Sequence, residues 1–388
     1  METHVEKHPS AMITGAPLLA DGVLYVPVTS FEELTGADPH YPCCSFRGSI
    51  VALDAATGKR LWKAYTIPSE PRPVRRNEFG VQLWGPSGAG IWSSSMIDPR
   101  QRMIYVTTGD SYSDPPAETS DAFLAFHMDT GRLAWSRQMT AGDAYTIACN
   151  RAAAGTSNCP QANGPDLDFG SSPILVELAN GHRLLVAGQK SGVVHAIDPD
   201  RAGEVVWQKR VGQGGKMGGV QWGAAADQQN VYVAVSDVRY RLVGKDTPAA
   251  QPSLFGLSFL LDPKSGGGIY ALKLETGEVV WHTPHPGCAD RPGCSPAQSA
   301  AVTAIPGIAF SGGFDGHLRA YATATGKIIW DVDTKGDYRT VNGVAAQGGS
   351  IDGPGAVVAD GMVYVNSGSA FVGTIPGNVL LAFSPDGR

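Results

Sequence analysis

The chain has 388 residues, room for one large domain or two to three ordinary ones, and its 49 glycines and 27 prolines announce many turns. Its net charge of −6, with only 17% charged residues, excludes the basic surface that nucleic acid requires. No apolar run reaches the ~18 residues of a membrane helix, and the opening METHVEKHPS is too polar for an export signal.

Along the chain, the first element is GVLYVPVTS, residues 22–30, a run of β-branched and aromatic residues that reads as a strand. YPCCSFR, residues 41–47, then sets two cysteines side by side. Neighbouring cysteines close only a very small ring, which gives little chain-entropy stabilisation. Cys43 and Cys44 are therefore either two free thiols or a strained bridge kept for a local purpose. ALDAATGKRLW follows, ending at Trp62: a short strand, a tight Thr-Gly turn and a second strand closed by tryptophan. The glycine supplies the positive φ of the turn, and the tryptophan packs between sheets.

This unit recurs. MIYVTTGD leads to AFHMDTGRLAW ending at Trp135, and RLLVAGQK to AIDPDRAGEVVW ending at Trp207. VYVAVSD leads to ALKLETGEVVW ending at Trp281, and GIAFSGG to AYATATGKIIW ending at Trp330. GMVYVNSG leads to a sixth copy, AFSPDGR, where the chain stops. Two strand-like runs precede each hairpin, so each unit holds four strands, and no stretch carries helical periodicity. Radial repetition of four-stranded units predicts an all-β fold, a β-propeller. The uneven spacing puts extra length in loops 65–90, 110–120, 145–168 and 238–266, which a propeller carries on its faces. Cys149 with Cys159, and Cys288 with Cys294, bracket small loops; three local pairs point to disulfides and an oxidising compartment. An exported chain without an export signal implies an incomplete N-terminus. No Cys-x-x-Cys-His occurs, so the chain has no c-type haem motif, and no cysteine pair lies near a histidine pair as zinc requires.

The repeated units, the adjacent cysteines and the stretches YPCCSFRGSIVALDAATG, GPSGAGIWSSSMIDP, TTGDSYS and GQKSG together resemble the quinoprotein alcohol dehydrogenases that use pyrroloquinoline quinone (PQQ), most of all their polyvinyl alcohol dehydrogenase branch. The resemblance runs from about residue 12 to 388. That family forms an eight-bladed propeller. It therefore implies a single PQQ-type propeller over 1–388 with six blades present, about two N-terminal blades and any cytochrome c domain being absent. The alternative is a six-bladed ring in which residues 3–6 supply the last strand of the final blade.

The resemblance also implies a site. Cys43 and Cys44 would form a vicinal disulfide against one face of the quinone, and Trp92 would stack on the other. Glu33, with Glu32 second, and Asp110 would hold Ca²⁺ or a lanthanide, hard cations that take oxygen ligands. Where relatives carry an acid, an aromatic and then the catalytic Asp, this chain reads Asp143-Ala144-Tyr145-Thr146, with Thr in the place of the base. After an insert bracketed by Cys149 and Cys159 comes GPDLDFGSSP, so Asp166 is the expected base and a metal ligand, Asp168 a further ligand and Asp143 the reserve base. Lys190 would bind quinone oxygens, and Arg47 a quinone carboxylate. Ser30 and Thr14 are candidate hydroxyl donors to that carboxylate, and Gln221 and Trp222 close the pocket floor. The implied reaction oxidises an alcohol, a secondary one of the polyvinyl alcohol kind, to a ketone or aldehyde. Its electrons would pass to a separate cytochrome c, in the periplasm or outside the cell. The rivals are a non-catalytic propeller scaffold and a decayed relative without activity.

Overall fold

The computed structural model describes residues 2–252, 258–288, 291, 294–369, 371 and 373–385. Its helix is confined to single turns, of which Glu32–Thr35 is the α-helical one, and among the described residues no helix is long and apolar enough to cross a membrane. The strands form antiparallel meanders. The first sheet runs Leu18–Ala20, Val23–Ser30, Ser49–Asp54 and Arg60–Tyr65, with Ala11–Met12 pairing the far end of its second strand. The second sheet is Met96–Asp98, Met103–Thr107, Ala122–His127 and Leu133–Gln138. The third is Ile174–Glu177, Arg183–Gly188, Val193–Asp198 and Glu204–Arg210. The fourth is Ala225–Ala226, Asn230–Ala234, Ile269–Lys273 and Val279–Thr283, and the fifth Thr303–Ile305, Ile308–Gly312, His317–Ala322 and Ile328–Asp333. The sixth has three strands, Val357–Ala359, Met362–Ser367 and Val379–Phe383. These are propeller blades, one per sequence repeat.

The repeat has a packing cause. Ala52 faces Trp62, Ala125 faces Trp135, Ala271 faces Trp281 and Ala320 faces Trp330, each with a bulge immediately after the alanine. The small residue leaves the indole free to reach the next blade. Trp62 Nε1 donates to Met128 O at 2.9 Å, Trp207 Nε1 to Leu274 O at 2.7 Å and Trp281 Nε1 to Thr323 O at 2.7 Å. The indole lies on the glycine of that blade's Thr-Gly turn: a Cβ at Gly131 would sit 2.5 Å from Trp62, and one at Gly326 2.5 Å from Trp281. Each glycine therefore serves both the turn, with φ of 69° and 71° at these two, and the neighbour's tryptophan.

The chain divides into two compact units, residues 1–175, 183–186 and 197–205 in one and 176–182, 187–196 and 206–388 in the other. In the first unit, one core gathers Tyr25, Ile50, Ile104, Val106, Leu124 and Phe126, and another Val26, Val28, Cys43, Cys44, Phe46 and Tyr112. In the second, cores form around Tyr232, Ile269 and Tyr321, and around Phe310, Leu318 and Ile351.

Two expectations need correction. Residues 3–6 do not complete the sixth sheet: Thr3 Oγ1 donates to Gly58 O and Lys63 pairs with Glu6, so this segment runs along the first sheet. The long loops are also more structured than their composition suggests. A hairpin of Arg72–Arg76 and Gln82–Gly85 occupies the first, and Tyr240–Val243, Gln251–Pro252 and Ser258–Leu261 form a small sheet in the last.

Candidate active site

The site is built in the first unit, where a line of single backbone bridges joins four chain crossings: Arg47 to Gly88, Gly88 to Ser111, Ser111 to Ala144 and Ala144 to Asn163. Buried loop backbone must find partners, and these bridges supply them. Gly88 sits at the middle with φ 101°, where a Cβ would lie 2.6 Å from Asp110 O, so only glycine permits the crossing.

Asp110 leaves the end of the Met103–Thr107 strand and turns inward. Its N–H donates to Asp168 Oδ1 at 2.8 Å. Carboxylate oxygens of Asp110, Asp166 and Asp168 lie within 4.8 Å of one another, and the three residues are only 1%, 5% and 6% exposed. Asp110 Oδ2 is fully buried and accepts no hydrogen bond among the described residues. Burial, and then the charges of Asp168, Glu33, Asp166 and Asp121, raise the Asp110 carboxyl well above the usual range. Three acids crowded in a dry place, one with an orphaned oxygen, suit a hard divalent or trivalent cation, which takes oxygen ligands and offsets their repulsion.

Asp166 reaches this cluster from a left-handed backbone position, φ 60°, which aspartate tolerates. Asp143 sits behind it. Its carboxylate accepts the Asp166 N–H at 3.1 Å and the Leu167 N–H at 2.8 Å, and Gly164 packs so close that a Cβ would lie 2.1 Å from Asp143 Oδ1. Asp143 thus shapes the loop that presents Asp166. Thr146 is fully buried and donates to Asn158 O at 3.1 Å, anchoring the insert that Cys149 and Cys159 close.

Glu32 and Glu33 share the Glu32–Thr35 turn and diverge. The charge of Glu33 raises both Asp110 and Tyr112, while the carboxylates whose oxygens lie within 4.8 Å of one another are those of Asp110, Asp166 and Asp168. Glu32 is fully buried and accepts from Tyr41 and from the backbone that follows the cysteine pair. Cys43 and Cys44 are bridged across a cis peptide bond and buried. Trp84 N–H donates to Cys43 O at 2.9 Å, tying the pair to the hairpin Gln82–Gly85. A cleft beside Cys43 is lined by Arg75, Trp84, Tyr112, Asp114 and Asn158.

Tyr112 connects the sulfur bridge to the acids. It packs in the core that holds Cys43 and Cys44, while its hydroxyl is raised by burial and then by Glu33, Asp110 and Asp168, and hydrogen-bonds Ser30. Trp92 also meets Asp168. A Cβ at Gly109 would be 3.1 Å from Asp168 Oδ2 and 3.2 Å from Trp92 Nε1, so indole and carboxylate meet over that glycine. Thr14 Oγ1 donates to Trp92 O at 2.8 Å and supports the tryptophan backbone.

The remaining expected residues have these partners. Arg47 donates to the carbonyls of Ile67, Pro68 and Ser69 and stacks 3.8 Å from the centre of the Tyr65 ring. Lys190, Gln221 and Trp222 belong to the second unit, with Lys190 buried, Gln221 Nε2 donating to Gly218 O at 2.6 Å and Trp222 Nε1 to Asp352 Oδ1 at 2.9 Å. Tyr112 and Asn158 were not anticipated. Tyr112 follows Asp110 by two residues, a spacing that puts both on one side of an extended segment.

A family model described as PQQ, the glucose/ethanol/alcohol dehydrogenase β-propeller domain, matches residues 2–153, which include Glu33, Cys43, Cys44, Trp92 and Asp110 but not Asp166 or Asp168. A second, described as outer membrane protein assembly factor BamB, matches 265–388. The chain is 44% identical over 399 aligned positions to a polyvinylalcohol dehydrogenase of Pseudomonas sp. and 41% identical over 402 to that of Sphingopyxis sp. (strain 113P3), each alignment covering 100% of this chain. The chain belongs to the PQQ-dependent quinoprotein alcohol dehydrogenase family. It spans 58% of the length of each of these two relatives. The fold agrees: the quinohemoprotein alcohol dehydrogenase of Comamonas testosteroni superposes with a TM-score of 0.62 over 97% of this chain and 61% of that one, at 18% identity. A europium-containing methanol dehydrogenase superposes with 0.59 over 95% and 66%, also at 18%.

Proposed function

We propose that this chain forms the catalytic propeller of a PQQ- and Ca²⁺-dependent alcohol dehydrogenase of the polyvinyl alcohol dehydrogenase type. The observation that carries the reading is the buried cluster of Asp110, Asp166 and Asp168, with an orphaned Asp110 oxygen, beside Trp92 and linked through Tyr112 to the Cys43–Cys44 bridge. Asp110, Asp166, Asp168 and Glu33 would hold the cation, Ca²⁺ or a lanthanide. Cys43, Cys44, Tyr112 and Trp92 would give a planar ring its apolar lining. When bound, the quinone would supply the acceptor for the alcohol's hydride, and a cytochrome c would be the acceptor of its electrons. Asp166 takes the hydroxyl proton, held at the right place by the two N–H bonds that Asp143 receives from Asp166 and Leu167. The alcohol thus loses hydride and proton and leaves as a ketone or aldehyde. The substrate class, a secondary alcohol on a polymer, rests on the similarity to the polyvinylalcohol dehydrogenases. The disulfides suit work in the periplasm or outside the cell.

A scaffold role has one observation in its favour, the BamB match over 265–388, but the acidic cluster lies outside that range. Incubating the protein with PQQ and Ca²⁺ and following dye reduction by polyvinyl alcohol and by secondary alcohols tests the proposal. Alcohol-dependent reduction that requires both additions is expected. Cofactor binding without turnover would mark a decayed enzyme, and no binding a scaffold.

A further inference from the structure

The two adjacent glutamates divide the site between them, and the buried one has a task the metal does not explain. Glu32 is 0% exposed. Its Oε1 accepts from Tyr41 Oη at 2.9 Å and from Ser45 N at 2.9 Å, and its Oε2 from Phe46 N at 2.8 Å and Ser45 N at 3.0 Å. His8 Nε2 lies 3.3 Å from Oε1 and 3.2 Å from Ser45 Oγ, and the His8 ring meets the Phe46 ring edge-on. Every one of these donors flanks Cys43 and Cys44 or reaches in to cover the turn. The same short helix touches the bridge directly, since a Cβ at Gly36 would lie 3.0 Å from Cys43 Sγ.

We infer that Glu32 is a positioning residue that fixes the Cys43–Cys44 bridge as a wall of the site, while Glu33 alone of the pair serves the cation. Backbone N–H groups after a tight turn need an acceptor once buried, and a carboxylate takes two of them with charge-assisted strength. Tyr41 and His8 close the remaining lone pairs, so Glu32 has no oxygen free to turn towards Asp110. With the carboxylate gone, Ser45 and Phe46 lose their partner and the sulfur bridge loses its fixed place.

The inference rests on the proposed function only for the identity of the ring the bridge faces. The test therefore reads the bridge itself. Native protein, Glu32→Gln and Glu33→Gln are compared in three measurements: the rate at which dithiothreitol opens Cys43–Cys44, by mass spectrometry of the alkylated peptide; Tb³⁺ binding by luminescence; and PQQ binding in Ca²⁺. Loss of hydrogen bonds to a charged acceptor corresponds to about tenfold. Glu32→Gln is expected to open the bridge about tenfold faster and to weaken PQQ by a similar factor, with Tb³⁺ binding within about twofold. Glu33→Gln is expected to leave the opening rate unchanged and to weaken Tb³⁺ about tenfold or more. Tyr41→Phe removes one donor and keeps the carboxylate, and it decides the matter if Glu32→Gln does not fold: a faster opening of about two- to fivefold with unchanged Tb³⁺ is expected. Unchanged bridge opening in Glu32→Gln or Tyr41→Phe, or loss of Tb³⁺ binding in either, overturns the inference. If the native protein binds no PQQ while the bridge and Tb³⁺ results hold, the proposed function fails and the positioning role stands.

Discussion

Asp110 lets residue-scale physics be tested with opposite signs. Its carboxyl is buried beside Asp166 and Asp168, with Glu33 contributing further repulsion. Asp110→Asn removes one acid from that crowd. Without metal it should raise the unfolding midpoint, and with Ca²⁺ it should lower affinity about tenfold or more. Calorimetry with and without Ca²⁺ reads both. A second residue gives a pH effect far along the chain from the acids. His195, held between Gln189 and Gln208 in the second unit, has its pKa pushed down by burial to about 3. The unfolded chain binds a proton on this histidine below about pH 6.5 that the folded chain refuses. Its contribution is thus present above that pH and lost as pH falls towards 3, at up to about 1.4 kcal/mol per pH unit. Urea unfolding of His195→Gln should show a shallower loss of stability between pH 6 and about 4 than native protein. The sequence singled out Asp110, Asp166 and Asp168, and the structure brings their carboxylates together. Asp-Leu-Asp after the insert points inward as a pair because its two acids alternate along one segment. Glu32 and Glu33 could not be told apart in the same way, because successive residues on one helical turn point about 100° apart and only the packing around Tyr41 and Phe46 decides which faces the cysteines.

The element that organises the chain is the tryptophan-on-glycine contact between consecutive blades. Gly326→Ala places a methyl 2.5 Å from Trp281 at a φ of 71°. Gly361→Ala has a similar φ, 74°, with nothing within 4 Å of the new Cβ. The first should cost about 2–4 kcal/mol and the second about 1–2 kcal/mol, since only the first adds overpacking to backbone strain. Chemical denaturation of the two variants checks the difference. Sequence revealed the blades because turn, glycine and tryptophan lie within a dozen residues and recur. It did not reveal the hairpin Gly336–Arg339 with Ala345–Gly348 or the small sheet around Tyr240–Val243. Those strands are short, partly exposed and belong to no repeat, so pairing within the loop stabilises what pattern alone does not announce.

Over the whole molecule, all six cysteines are bridged. The Cys149–Cys159 bridge closes ten residues of separation in the insert that Thr146 and Arg75 also hold. Loop closure of that size is worth about 3 kcal/mol, so the double variant Cys149→Ser, Cys159→Ser should unfold correspondingly earlier in denaturant. The sequence fitted the family from its motifs, and 44% identity over the whole chain agrees, while the chain spans 58% of that relative. The proposed catalytic centre is a cation held by Asp110, Asp166, Asp168 and Glu33 next to a bound quinone. Calorimetric titration of PQQ into the protein with and without Ca²⁺ tests this most directly. Binding that needs Ca²⁺ and falls away in Asp110→Asn is the predicted result; PQQ that binds equally without Ca²⁺ or in the variant, or fails to bind at all, contradicts it.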